Sequence, residues 1–252
     1  MTKDMTNGKP IKLILGFAVP LLLGNLFQQF YNLVDTVIVG KVLGVNSLAA
    51  VGSTGSINFL IIGFCMGICN GFAIPVAQSF GAKNDKTLRK YVANSTWLAL
   101  LFAVIMTIAT IILCKPILRL MRTPDDIFTG AYTYIVIIFA GIPATILYNM
   151  VSGILRAMGD SKTPLYFLIL SAFLNIFLDL FCIIVLHMGV AGAAVATVVS
   201  QAVSGVSCLL YMRKKSVSYT HLAPVSLVPA STSIHSFPDW MRMESPCPTS
   251  IK

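Results

Sequence analysis

Residues 42–82 contain no Asp, Glu, Lys, Arg or His, and neither do residues 91–114 or 127–155. Between Lys12 and Lys41 the one such side chain is Asp35, and between Lys162 and Arg213 there are two, Asp179 and His187. A soluble domain draws about a quarter of its residues from the four charged types. Here 11% of 252 residues are charged, 56% are hydrophobic and the mean hydropathy is +0.84. Runs this long without a charge cannot be covered by water. Each has room for an apolar helix of about 20 residues, the length that crosses a bilayer, so the chain reads as an all-α, polytopic membrane protein.

The runs predict six helices, over residues 14–39, 48–76, 91–113, 130–153, 164–186 and 190–212, the last two divided near His187-Met188-Gly189. A β-barrel is excluded, because its strands are short and alternate polar with apolar residues. The expected fold is a six-helix transmembrane bundle. Its loops carry an orientation signal. Lys3, Lys9, Lys12, Lys83, Lys86, Arg89, Lys90, Arg156, Lys162, Arg213, Lys214 and Lys215 fall on one side, against Lys41, Lys115, Arg119 and Arg122 on the other. Basic loops stay inside, which places both ends of the block in the cytoplasm and the chain in the cytoplasmic (inner) membrane. The net charge of +9 therefore reports topology rather than a nucleic-acid partner. Polar residues 1–9 lead into a full-length span, not a cleavable leader.

Beyond Lys215 the character changes. All 18 glycines precede this point, while 5 of the 12 prolines lie in the last 37 residues. The division expected is a membrane lobe over residues 1–215 and a disordered or non-native tail over 216–252; Val217-Ser-Tyr-Thr-His-Leu222 looks like translated adapter sequence.

Within the lobe, polar side chains mark function, because hydrocarbon penalises them. Gly24, Gln28, Tyr31, Asn32 and Asp35 form one helical stripe, and Ser171, Asn175 and Asp179 recur every fourth residue. Counted from the cytoplasmic ends at about 1.5 Å per residue, the two acids reach similar depths and can share a cavity. A buried carboxyl pair of this kind exchanges protons or, with amide and hydroxyl oxygens beside it, coordinates Na⁺; the bland alternative is helix packing alone. No metal is expected beyond Na⁺ at this site and no cofactor. Cys65 and Cys69, one turn apart, read as small apolar residues. Gly63, Gly67 and Gly71 predict close helix contact, as do Gly189, Ala193 and Thr197. Pro20 should loosen the first helix. Tyr134 stays open between an interface aromatic and a cavity hydroxyl, and His187 reads as interfacial.

Several motifs carry a specific resemblance. They are Pro20 with Gln28-Gln29-Phe30-Tyr31-Asn32-Leu33-Val34-Asp35-Thr36 and Gly40, then Leu48-Ala49-Ala50-Val51-Gly52, then Gly153-Ile154-Leu155-Arg156-Ala157-Met158-Gly159-Asp160-Ser161-Lys162-Thr163-Pro164. Leu174-Asn175-Ile176-Phe177-Leu178-Asp179 and Gly189-Val190-Ala191-Gly192-Ala193-Ala194-Val195-Ala196-Thr197 complete the set. In this order, across residues 10–215, the chain resembles the multidrug and toxic compound extrusion (MATE) family.

The resemblance implies an antiporter, not an enzyme, that exports small cationic amphipathic drugs and xenobiotics against Na⁺ or H⁺ entry. It implies twelve helices in two six-helix lobes with a cavity between them. Carried over by position, the coupling site is Asp35 and Gln28, Tyr134, Asn175 and Asp179, and Thr197, with Pro20 as a bend in the first helix. One lobe is present here, so the chain is expected to be a fragment whose partners are the lipid bilayer, cationic organic substrates, and a missing C-terminal lobe or a second copy. Two rivals are weighed. A lipid-linked saccharide flippase of the same wider superfamily should line its cavity with Arg and Lys, whereas the buried charges are acidic. A membrane enzyme or non-transporting scaffold lacks support from any nucleophile–base pair.

Overall fold

The computed structural model describes residues 10–219. Seven helices follow one another: α1 (Pro10–Leu43), α2 (Val45–Gly81), α3 (Asp85–Leu120), α4 (Asp125–Ala140), α5 (Ile142–Ala157), α6 (Lys162–Leu180) and α7 (Val190–Tyr219), with a π-helical turn at Phe181–Val185 between the last two. Five spans are long and apolar enough to cross a membrane, and the α4–α5 pair makes a sixth. The expected tail begins inside α7: residues 216–219 continue that helix, and residues 220–252 lie outside the described residues, as do residues 1–9.

The fourth span departs from the single helix expected over 130–153. It is two 16-residue helices, α4 and α5, meeting at 44°. Pro143 explains half of this, since it has no N–H for the Phe139 carbonyl and its ring crowds that turn. Gly141 explains the rest: a Cβ there would collide with both methyl carbons of Val198 on α7, so the bare backbone is what lets α7 press into the break. Pro20, Pro75 and Pro116, in contrast, sit inside unbroken helices.

α7 is the centre of the packing. It lies against α4, α5 and α6, while α2 packs on α4 and α5, and α1 rests mainly on α6. Ala193, Ala194 and Ala196 are fully buried, and such small residues let helix backbones approach closely in a membrane. Side chains tie the elements near the α5–α6 turn. The Tyr148 hydroxyl on α5 donates to the Pro164 carbonyl at 3.1 Å, and the Ser204 hydroxyl on α7 donates to the Phe167 carbonyl at 2.8 Å. Phe139, Leu118, Ile135, Ile142, Val39 and Val76 fill the core. Leu22, Leu26, Phe59, Ile112, Phe173 and Leu210 cover the outside; an apolar exterior over helices that satisfy their own backbone hydrogen bonds is what hydrocarbon demands.

The expected helix contact through Gly63, Gly67 and Gly71 is absent among the described residues. A Cβ at any of the three would meet nothing within 4 Å. They line the open face of α2 rather than a contact inside the bundle.

Candidate functional site

On α1 the buried residues fall at Tyr31, Asp35 and Val39, four apart, and on α6 the buried polar residues Ser171, Asn175 and Asp179 repeat that spacing beside Ala172. α1 packs on α6, which also packs on α7; Asp35 and Asp179 meet in the seam between the first two, and Asn175 turns to Thr197 of α7. The spacing follows from the helix: residues four apart stack on one face, and only that face escapes lipid. Asp35 and Asp179 lie side by side in this seam, 8% and 0% exposed.

Three of their four carboxyl oxygens (Asp35 Oδ1 and both Asp179 oxygens) accept no hydrogen bond among the described residues, and Asn175 Oδ1 is also without a donor. Buried acceptors are almost always paired. These four oxygens, three of them from two neighbouring acids, form an acceptor set whose chemistry suits a proton or a hard cation. No Lys, Arg or His acts on either acid among the described residues. Two ionised carboxylates held this close repel each other, so a shared proton or a hard cation would stabilise the pair. A softer metal finds no such set: no cluster of three or more His, Cys, Asp and Glu side chains forms among the described residues.

The other expected residues divide. Asn175 is 1% exposed and its Nδ2 donates to Thr197 Oγ1 on α7 at 3.3 Å. Tyr134 of α4 is buried close to Asp35, Asp179 and Tyr31, which favours the cavity hydroxyl over the interface aromatic. Gln28 is half-buried and reaches the Tyr31 hydroxyl rather than an acid directly. Asn32 turns outward and donates to Gln29 Oε1 at 3.3 Å. Pro20 stands apart, about 22 Å along α1 from Asp35 at 1.5 Å per residue. Exposed His187 sits in the turn before α7 with a φ of 51°.

Two residues that sequence reasoning missed also belong to the neighbourhood. Gln201 of α7 reaches the Tyr31 hydroxyl and accepts a 2.5 Å hydrogen bond from Thr145 Oγ1 of α5. The signal was present, since Gln201 follows Thr197 by one turn inside an apolar run.

A family model described as MatE matches residues 20–181. The probable multidrug resistance protein YoeA of Bacillus subtilis (strain 168) is 38% identical over 205 residues, covering 79% of this chain and 44% of that protein. Among solved structures, an outward-facing multidrug resistance MATE family transporter of the MOP superfamily superposes with a TM-score of 0.80 at 29% identity, over 88% of this chain and 49% of the other. A MATE structure in the bent conformation gives 0.80 at 30%, over 88% and 50%. The chain spans about half the length of the relatives it matches.

Proposed function

Because the chain belongs to the MatE family of multi-pass membrane transporters, we propose that it is a cation-coupled lobe of an exporter of small cationic, amphipathic compounds. Export itself is proposed for the protein in which this lobe faces a second one, supplied by another segment or another copy, since the relatives are about twice as long. The membrane is the cytoplasmic one, with both ends of the helical block inside; the bias of Lys and Arg among the loops supports this.

One observation carries the reading: two carboxyl groups from different helices are buried together, with three of their four oxygens accepting no hydrogen bond among the described residues. Asp35 and Asp179 would hold H⁺ or Na⁺, with Asn175 Oδ1, Thr197 Oγ1 and the Tyr134 hydroxyl as neutral oxygens around them, and Gln28 would orient Tyr31. Occupancy by the driving cation removes the negative charge that attracts a cationic substrate, so the two compete, and competition at one site is what antiport requires. Pro20 supplies the weak point where α1 bends as the charge of the pair changes; a structural relative is known in a bent state. A flippase for pyrophosphate-linked saccharides is disfavoured, because the buried pair is acidic and no base acts on it.

The test is Asp35→Asn in the reading frame that carries this chain, expressed in drug-sensitive cells. Ethidium efflux should fall to the level of empty-vector cells while membrane abundance stays constant, and Asp179→Asn should behave alike. Undiminished efflux by both variants would remove the acid pair from the mechanism.

A further inference from the structure

The Thr145 hydroxyl has two acceptors in reach. It donates to Gln201 Oε1 at 2.5 Å and lies 3.5 Å from the Gly141 carbonyl oxygen. Gly141 is the residue between α4 and α5, and its carbonyl already accepts from Ala144 N at 3.0 Å and Thr145 N at 3.2 Å. A Thr hydroxyl that bonds back to the carbonyl four residues earlier tends to bend a helix. The acceptor that Thr145 uses therefore biases the geometry of the break, and Gln201 draws it away from the backbone.

Gln201 also answers to the acids. Its side chain is in reach of the Tyr31 hydroxyl, and Tyr31 stands one turn before Asp35 on the same buried face of α1. From the other acid, Asn175 lies one turn before Asp179 and bonds Thr197, which is one turn before Gln201 on α7. α7 is meanwhile seated on the break itself. Val198 fills the space over Gly141, and Gly205 comes so near α5 that a Cβ would lie 3.2 Å from Tyr148 N. Tyr31 and Thr145 are each 8% exposed, so water competes little for these bonds.

We propose that Gln201 is a positioning residue that ties the cation occupancy of the Asp35–Asp179 pair to the bend between α4 and α5, acting through Tyr31 and Thr145. The field of an ionised Asp35 turns the Tyr31 O–H toward itself and leaves Gln201 Oε1 to Thr145. A neutralised pair frees Tyr31 to donate to Gln201, and the Thr145 hydroxyl turns back onto Gly141. The titratable groups facing the pair are Tyr31 of α1, Tyr134 of α4 and Cys182 of the π-helical turn, with no base among those acting on the acids.

The proposal rests on the coupling role of the acids, and the experiment separates the two. The chain is purified into lipid nanodiscs. Infrared difference spectra across a pH titration and across a Na⁺ titration should show a carboxyl C=O or carboxylate band that Asp35→Asn alters; a carboxyl region silent to both cations overturns the coupling role beneath both readings. Amide hydrogen exchange in peptides spanning residues 138–149 is then compared at one pH. Asp35→Asn should change their rates at least threefold in the otherwise unchanged chain and by less than 1.5-fold in a Gln201→Leu background. Thr145→Val should uncouple the segment in the same way, which keeps the test usable if Gln201→Leu fails to fold, and Thr145→Ser should preserve the response. A response to Asp35→Asn that persists at full size without Gln201 or the Thr145 hydroxyl, or no response at all beside a titrating carboxyl, refutes the inference.

Discussion

Gly141→Ala tests whether α7 locks the broken span. The added Cβ has nowhere to go: both Val198 methyl carbons and the Ile138 carbonyl oxygen stand in its way. Forcing a methyl into a close-packed interior costs about 1–3 kcal/mol. For a chain of this size each kcal/mol moves the unfolding midpoint by about 2–4 °C, so a penalty of about 2 kcal/mol predicts a fall of about 4–8 °C. Cys65, Cys69, Cys114, Cys182 and Cys208 are free and buried, so a thiol-reactive dye becomes fluorescent as the bundle opens; Cys247→Ser removes the one cysteine outside the described residues. Gly67→Ala is the control, because a Cβ there meets nothing within 4 Å, and Ala is favoured over Gly in a helix by about 0.5–1 kcal/mol. It should leave the midpoint unchanged or slightly raised. Repeating Gly141→Ala in a Val198→Ala background should shrink its penalty below about 1 kcal/mol, the signature of two residues in contact. A midpoint that does not move in Gly141→Ala, or a penalty indifferent to Val198, would refute the packing argument.

Two further outcomes are expected. Asp160 Oδ1 accepts from Thr163 N at 3.1 Å and Oδ2 from the Thr163 hydroxyl at 2.9 Å, capping the start of α6; Asp160→Ala should cost about 0.5–2 kcal/mol, as lost caps do, read by the same dye as a lowered midpoint. Cysteines introduced at Lys86 and Lys115 report topology: an impermeant maleimide should label Lys115→Cys in intact cells and Lys86→Cys only after permeabilisation, and the reverse pattern would overturn the orientation read from the loop charges.

The spans were legible because charge is so strongly excluded from hydrocarbon that its absence over 42–82, 91–114 and 127–155 marks them without reference to any partner. The acid pair was legible for the same reason, as two charges where none is tolerated without a role. The break in 127–155 was not, although Gly141-Ile142-Pro143 spells it, because Pro20, Pro75 and Pro116 sit in unbroken helices and only Val198 distinguishes Gly141. Tertiary context also reversed the reading of Gly63, Gly67 and Gly71: spacing shows that a face is small, not that a neighbour lies on it. Gln201 escaped because the stripes were anchored on carboxylates, and an amide one turn from Thr197 carries no charge to draw the eye.

The distribution of packing between the two acids bears on which element responds to them. In its most apolar window α1 buries 11% of its residues inside the lobe, against 33% for the span containing α6 and 39% for that containing α7. Elements with few buried contacts open and shift at the lowest free energy. Asp35 thus rides on the helix that is cheapest to move, and Asp179 on one clamped by α7 through Asn175–Thr197 and Ser204–Phe167. Repulsion between the acids acts equally on both, yet displacing α6 would break those bonds and unseat the buried alanines of α7, whereas displacing α1 disturbs fewer buried side chains. If the pair changes charge as proposed, the movement is therefore expected in α1, with Asp179, Asn175 and Thr197 as the fixed half of the site. The proposed link from Tyr31 through Gln201 to Thr145 would carry that movement to the α4–α5 break.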